Sequence, residues 1–271
     1  MSPHKIITLL TDFGLKDVYV GVMKGVIAQV NSTIKIIDLT HEIPPQNLNA
    51  AQFCLSDAYP YFPTGTVHVA VVDPGVGSAR RAIAIQLPTG FLVGPDNGIF
   101  SGVLQSIETE KITVVELTNT EYWHTNKPSN TFHGRDIFAP VGAHLANGVA
   151  IEKLGEKFNP ESLVKLPLNN ITLKDSGIEG CVQHIDHFGN IITNISSSYI
   201  EGKTWSVVIN QNDDFSAYQT IASGNTYTDC QPGELIAIVG SHGFVEIAAN
   251  GSSAQSQLNL EYGDRVQITR F

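Results

Sequence analysis

The chain has 271 residues, room for one large or two ordinary domains at ~150 residues each. Its 16 Lys and Arg against 26 Asp and Glu give a net charge of −10. That excludes the basic footprint demanded by DNA, RNA or an anionic membrane face, while a cationic small ligand would not be repelled. With 42% hydrophobic and 15% charged residues, the composition is that of a globular protein able to bury a core.

Ile6–Leu10 is a short apolar run that stops at Thr11-Asp12-Phe13-Gly14, the form of a buried strand entering a loop. Val18, Val22, Val26 and Val30 then recur at helical spacing, with Asp17 as the expected N-cap. Ile34–Leu39 reads as a second strand, Asn47–Tyr59 as a helix and Val67–Val72 as a third strand, stopped by Asp73-Pro74-Gly75. Ala82–Leu87, Phe91–Val93 and Ile112–Leu117 follow as strands, and Ile137–Leu145 as a helix with Pro140 in its first turn. This alternation predicts an α/β domain over 1–160, a mostly parallel sheet flanked by helices.

Residues 155–176 turn polar and carry two prolines, and a linker is expected over 161–176. From 177 to 271, Val182–Ile185, Ile191–Ile195, Trp205–Ile209, Leu235–Val239, Val245–Ala248 and Arg265–Thr269 read as short strands separated by turn residues. They predict a smaller all-β domain. No Lys or Arg occurs from Thr204 to Asp264, so this region is locally anionic.

Three scattered cysteines, none in a C-x-x-C pair, argue against a disulfide framework and a cysteine zinc site. The first apolar run is too brief for a signal peptide, and no stretch nears ~20 apolar residues. A cytoplasmic protein with no membrane partner is expected.

In open parallel sheets, ligands bind beyond the carboxyl ends of strands. Asp12, Asp38 and Asp73 stand at or near three such ends. Asp73 opens DPGVGSARR, which on its own reads as a β-turn before a surface Arg80-Arg81 pair. A phosphate cradle is the rival reading, though the loop lacks the Lys-Ser/Thr of a P-loop. Thr131–Asp136 is a second polar cluster, in which Asp136 can serve as an N-cap. Three of the five arginines lie in these two segments. His184-Ile185-Asp186-His187 does not predict a metal site, because strand residues three apart point to opposite faces. Its simplest reading is a hairpin turned by Gly189-Asn190. Neither G-x-S-x-G nor H-E-x-x-H occurs.

The ordered set TDFG-x-x-D (11–17), VVDPGVGS-x-RR (71–81), GPDNG (94–98), FHGRDIFAP (132–140), IDHFGN-x-x-TN (185–194) and GS-x-GF-x-E-x-A (240–248) resembles the adenosine-forming S-adenosyl-L-methionine hydrolases. These are also called hydroxide adenosyltransferases and are relatives of fluorinase and chlorinase. The resemblance spans both expected domains. It implies an α/β unit, a β-barrel-like unit, and a homotrimer with sites shared between subunits.

It also implies cleavage of S-adenosylmethionine by water into adenosine and L-methionine, with no cofactor and no metal. Asp73, Arg80 and His133 match the set around the nucleophilic water, and Asp12 matches the carboxylate on the ribose hydroxyls. Phe188 and Asn190 match residues around the adenosine. Asp186, Ser241 and Glu246 fall where methionine and neighbouring contacts are made, and Ala249 matches a backbone position at the adenine. The halogenase branch carries Tyr where Asp73 stands. A carboxylate there repels a halide and suits water, which favours hydrolysis over 5′-halogenation. A non-catalytic S-adenosylmethionine or adenosine binder is the remaining alternative, and it has no evident need for Asp73, Arg80 and His133 together.

Overall fold

The computed structural model describes residues 5–105, 107–166, 171–174, 177–210 and 218–271. Residues 1–4, and 167–170 and 175–176 of the expected linker, lie outside that set. Two compact units divide after Leu166.

In the first unit, β1 (Ile6–Thr11), α1 (Tyr19–Val30), β2 (Lys35–Thr40), α2 (Leu48–Ala58), β3 (Thr66–Val71), β4 (Ala82–Leu87) and β5 (Gly90–Pro95) follow in order. The short α3 (Ser101–Leu104), β6 (Thr113–Glu116), α4 (Ala139–Ala146) and β7 (Glu156–Lys157) complete it. The sheet order is β2-β1-β3-β5-β4-β6-β7. β1, β2, β3 and β5 run parallel, and β4, β6 and β7 join by antiparallel pairs. β1 and β3 are buried along almost their whole length, as continuous apolar strands covered on both faces must be. Val67, Val69 and Val71 meet Met23 and Ile27 of α1 and Val141 and Leu145 of α4 in one core.

Local starts and stops differ from expectation in two places. Asp17 is not the cap of α1: the N-cap position falls on Val18, which has no acceptor to offer, and no side chain caps this end. Asp136 is no cap either. Gly134–Phe138 forms a π-helical turn that runs into α4, and Asp136 lies buried inside it. Pro140 does occupy the first turn of α4, and the Asp136 carbonyl four residues before it accepts from His124 N–H instead.

In the second unit, β8 (Thr172–Lys174), β9 (Gly177–Ile185), β10 (Ile191–Ser196), β11 (Trp205–Asn210), β12 (Tyr218–Ala222), β13 (Leu235–Val239), β14 (Phe244–Ala249), α5 (Ala254–Leu258) and β15 (Arg265–Arg270) follow. Their order is β12-β11-β15-β9-β10-β14-β13, with β8 beside β9, and every ladder is antiparallel. A bridge from Ser223, just past β12, to Ala237 on β13 nearly closes the sheet into a barrel. Its interior holds Val182, Ile191, Val207, Ile247 and Ile268. Closure removes the exposed edges that a small antiparallel sheet otherwise presents.

One buried imidazole gives the first unit a measurable pH dependence. His68 on β3 is 2% exposed, sits opposite Thr8 on β1 and has Nδ1 2.8 Å from its hydroxyl. Burial depresses its pKa from 6.5 to about 4. The unfolded chain therefore takes up this proton first. The stability is complete above pH 6.5 and drains away as pH falls towards 4, by about 3 kcal/mol in all. Denaturant midpoints measured between pH 7 and 4.5 should fall accordingly. His68→Gln should flatten that fall, and an equally steep loss in the variant would contradict the assignment.

Candidate active site

β1 and β3 are adjacent and parallel, and Thr11 pairs with Val71, so Asp12 and Asp73 follow the carboxyl ends of neighbouring strands. Past Asp73 the chain turns at once. Val76 N–H donates to the Asp73 carbonyl, Ser78 N–H to the Gly75 carbonyl, and Arg80 N–H to Ser78 Oγ. Gly77 adopts φ +77°, and a Cβ there would collide with the Asn130 carbonyl. Only glycine lets this loop lie against the segment that leads to His133.

The result is one hydrogen-bonded array. Arg80 Nε donates to Asp73 Oδ1 at 2.9 Å and Oδ2 at 3.1 Å, and Nη2 also meets Oδ2. Nη2 lies 2.8 Å from His133 Nδ1. A guanidinium can only donate, so Nδ1 is the acceptor and the neutral ring carries its proton on Nε2. Asp73 and Arg80 side chains are 5% and 10% exposed, and the guanidinium carbon stands 5.3 Å from the Phe138 ring centroid. Burial and the neighbouring Arg80 charge hold the His133 pKa below its ordinary value, outweighing the pull of Asp73 and Asp136.

Arg80 and Arg81 do not form a surface pair. Arg81 donates to Asp96 and to Ser162, and lies 4.1 Å from the Phe158 ring centroid. It ties residues 158–162 to the sheet. Arg135 is also spoken for, donating through Nε and Nη2 to Asp136, which takes a further bond from Ser129 N–H. Burial raises the Asp136 pKa, but the Arg135 and Ser129 bonds prevail and lower it. This pair fixes the loop before His133. Asp12 Oδ2 accepts from Gln46 N–H at 2.8 Å. Sequence reasoning missed Asn97, whose Nδ2 donates to the Val72 carbonyl and so holds the backbone entering Asp73. Its place inside GPDNG was the available signal.

In the second unit, Asp186–Gly189 turns β9 into β10, with Gly189 N–H donating to the Asp186 carbonyl. His187 and Phe188 are therefore the central turn residues, two positions earlier than Gly189-Asn190. Asp186 Oδ1 accepts from Phe188 N–H and Asn190 N–H, and Oδ2 from Asn190 Nδ2. Gly189 has φ +79° and packs against Ser253, which a Cβ would strike. Phe188 projects outward, 74% exposed, while Asn190 is buried.

Ser241 lies exposed in the turn between β13 and β14, and Ala249 ends β14. Glu246 is 4% exposed. Its Oε1 accepts from Tyr227 Oη at 2.9 Å and its Oε2 lies 3.1 Å from His242 Nε2. Burial, then the Glu246 carboxylate, pushes the Tyr227 pKa up to about 12. Tyr227 was not singled out from the sequence, because no motif surrounds it. Among the described residues, no three His, Cys, Asp or Glu side chains group as a metal site. Nor, among the described residues, is any helix long and apolar enough to cross a membrane.

A mixed, mostly parallel sheet with a carboxylate–guanidinium–imidazole array past its strand ends, followed in the chain by an antiparallel barrel-like unit, defines an α/β-plus-barrel protein. Family models for the SAM hydroxide adenosyltransferase N-terminal and C-terminal domains match residues 7–155 and 180–267. The chain belongs to the SAM hydroxide adenosyltransferase family.

It is 40% identical to an (R)-S-adenosyl-L-methionine hydrolase of Salinispora tropica, over 99% of each chain. A fluorinase of Actinopolyspora mzabensis is more distant, 28% identical over 98% of this chain and 97% of its own. The fold is similar to that of an uncharacterized conserved protein from Thermotoga maritima seen in a crystal structure. That protein is 36% identical with a TM-score of 0.88, covering 97% of this chain and 100% of the other.

Proposed function

We propose that this chain hydrolyses S-adenosyl-L-methionine to adenosine and L-methionine by attack of water or hydroxide on the ribose 5′-carbon. The observation that carries this reading is the contiguous Asp73–Arg80–His133 array, with Asp12 at the end of the neighbouring strand. The nearly full-length similarity to proteins named as hydrolases supports it.

The substrate carries a sulfonium, so methionine leaves as a neutral thioether and needs no general acid. Water is the difficult partner, and the reaction releases one proton from it. His133, neutral with hydrogen on Nε2, donates to the water oxygen and turns a lone pair towards the 5′-carbon. Asp73 is the carboxylate that takes the proton, and Arg80 stabilises the charge developing on oxygen while holding both partners. Asp12 has one oxygen tied to Gln46 N–H and uses the carboxylate on the ribose hydroxyls, which positions the 5′-carbon in line. In the second unit, Phe188, Asn190 and the Ala249 backbone serve the adenosine. Ser241 serves the methionine end, and Asp186 and Glu246 act from behind through their turn and their Tyr227 and His242 partners.

No cofactor or metal enters this scheme. A cytoplasmic homotrimer with sites shared between subunits is proposed from the family resemblance. Light scattering that gave one chain mass instead of three would remove that assembly. The activity is tested by incubation with S-adenosylmethionine in chloride buffer and chromatography of the products. Adenosine and methionine in equal amounts are expected. Predominant 5′-chloroadenosine, or bound but intact substrate, would overturn the reading in favour of a halogenase or a binder.

A further inference from the structure

Beneath the Asp12 loop lies a buried polar chain that the reaction scheme leaves unused. The β1–β2 ladder pairs Leu9 with Asp38 but Leu10 with Thr40, so Leu39 is an extra residue in β2. Bulges are uncommon in parallel pairs and often re-aim a side chain next to a functional site. Here the shifted register carries His41 to the level of Thr11, the last residue of β1. Both side chains are out of solvent, His41 at 3% and Thr11 at 0% exposure.

Three contacts bind the two segments. His41 Nδ1 lies 2.8 Å from Thr11 Oγ1, Gly14 N–H donates to the His41 carbonyl at 2.8 Å, and Gln46 N–H donates to Asp12 Oδ2 at 2.8 Å. His41 Nε2 stands 3.1 Å from Asp38 Oδ1, an ion-pair distance without the alignment of a hydrogen bond, while Lys24 Nζ donates to Asp38 Oδ2 at 2.6 Å. A carboxylate only accepts, so the ring proton belongs on Nε2 and Nδ1 is left as an acceptor. Thr11 then donates its hydroxyl hydrogen to Nδ1, and its oxygen accepts from Phe13 N–H at 3.2 Å. The Phe13 N–H and the Thr11 hydroxyl thus donate in one direction, towards the His41 ring. Such a series has one consistent orientation and holds residues 11–14, with Asp12 between its two ends, in a single geometry.

We infer that His41 is a positioning residue, acting with Thr11 and Asp38 to set the loop that presents Asp12 to the ribose. The assignment rests on the reading of Asp12 as the ribose carboxylate. A fully buried hydroxyl already used as donor and acceptor is no nucleophile, which separates this arrangement from a second catalytic triad. Loosening the loop should weaken ligand binding and leave the Asp73 array intact.

The test measures adenosine affinity by calorimetry on the full chain, beside kcat, KM and melting temperature. Thr11→Val keeps the shape and removes the hydroxyl, and should weaken adenosine binding on the order of tenfold, the scale of one buried hydrogen bond left unmade. KM should rise in parallel, with a smaller change in kcat. Thr11→Ser should recover most of the affinity lost in Thr11→Val. His41→Leu should behave like Thr11→Val, and His41→Asn, which keeps an acceptor near the Nδ1 position, should be intermediate.

If Thr11→Val and His41→Leu lower only the melting temperature, with adenosine affinity unchanged while Asp12→Ala weakens it, the positioning role is overturned and the Asp12 reading stands. If Asp12→Ala itself binds adenosine normally, the Asp12 reading falls and the inference falls with it. In an Asp12→Ala background, Thr11→Val should add nothing further, and a full additive loss would count against coupling through Asp12.

Discussion

Asp73→Asn should lower kcat by roughly 10²–10⁴-fold while leaving substrate affinity within a few-fold of the native protein, the range for loss of a positioned proton acceptor. The substitution keeps the shape of the side chain, so the loop from Asp73 to Arg80 can persist. It removes the charge that two Arg80 nitrogens address and, with it, the proposed proton acceptor. The His133 ring, held through Arg80 Nη2, also loses the anion behind its partner. Single-turnover kinetics beside calorimetry separates the two effects. A fully active variant would remove Asp73 from the chemistry. A variant that lost binding and turnover equally would make it a substrate contact.

Phe138→Ala should cost about 3–5 kcal/mol, a large fraction of the roughly 5–15 kcal/mol that stabilises an ordinary domain. Phe138 is fully buried in the core of the first unit and sits at the end of the π-helical turn that follows His133. Its ring backs the Arg80 guanidinium at 5.3 Å and the His133 ring at 6.5 Å. The deletion therefore leaves a cavity and also removes the ring that backs Arg80 and His133. Denaturant unfolding should show the loss, and the variant that remains folded should be slower per folded molecule. Phe138→Leu, which refills most of the volume, should recover most of the stability. A loss below about 1 kcal/mol for Phe138→Ala would show that the site collapses freely and that the ring is not a support.

The first unit was largely legible in the sequence because β1, β3 and β5 are apolar on both faces. Their runs stand out against the loops that end them. β12 was not legible: Tyr218–Ala222 is mostly exposed and polar, and it is a strand because β11 pairs with it. Asp136 shows the limit of local rules. A carboxylate before a helix reads as a cap, yet here Arg135 and Ser129 draw it inside a π turn.

The site was legible as a set of motifs and not as a geometry. Spacing made Arg80 and Arg81 equivalent, but adjacent residues at the entry of β4 point opposite ways, so one joins Asp73 and the other Asp96. The approach of His133 to Arg80, 53 positions away, depends on Gly77 meeting Asn130 and has no local signature. The His41–Thr11 contact depends on one extra residue in β2, which a hydrophobic pattern does not reveal. Nothing in the motif around Glu246 signals that its two oxygens face Tyr227 and His242.

The proposed hydrolysis requires water to attack the 5′-carbon, and reaction in ¹⁸O-labelled water tests that step directly. Mass spectrometry of the products should find one ¹⁸O in adenosine, at its 5′-hydroxyl, and none in methionine. Methionine that carries the label, or adenosine formed without it, would mean that the oxygen enters elsewhere and would contradict the roles given to Asp73, Arg80 and His133.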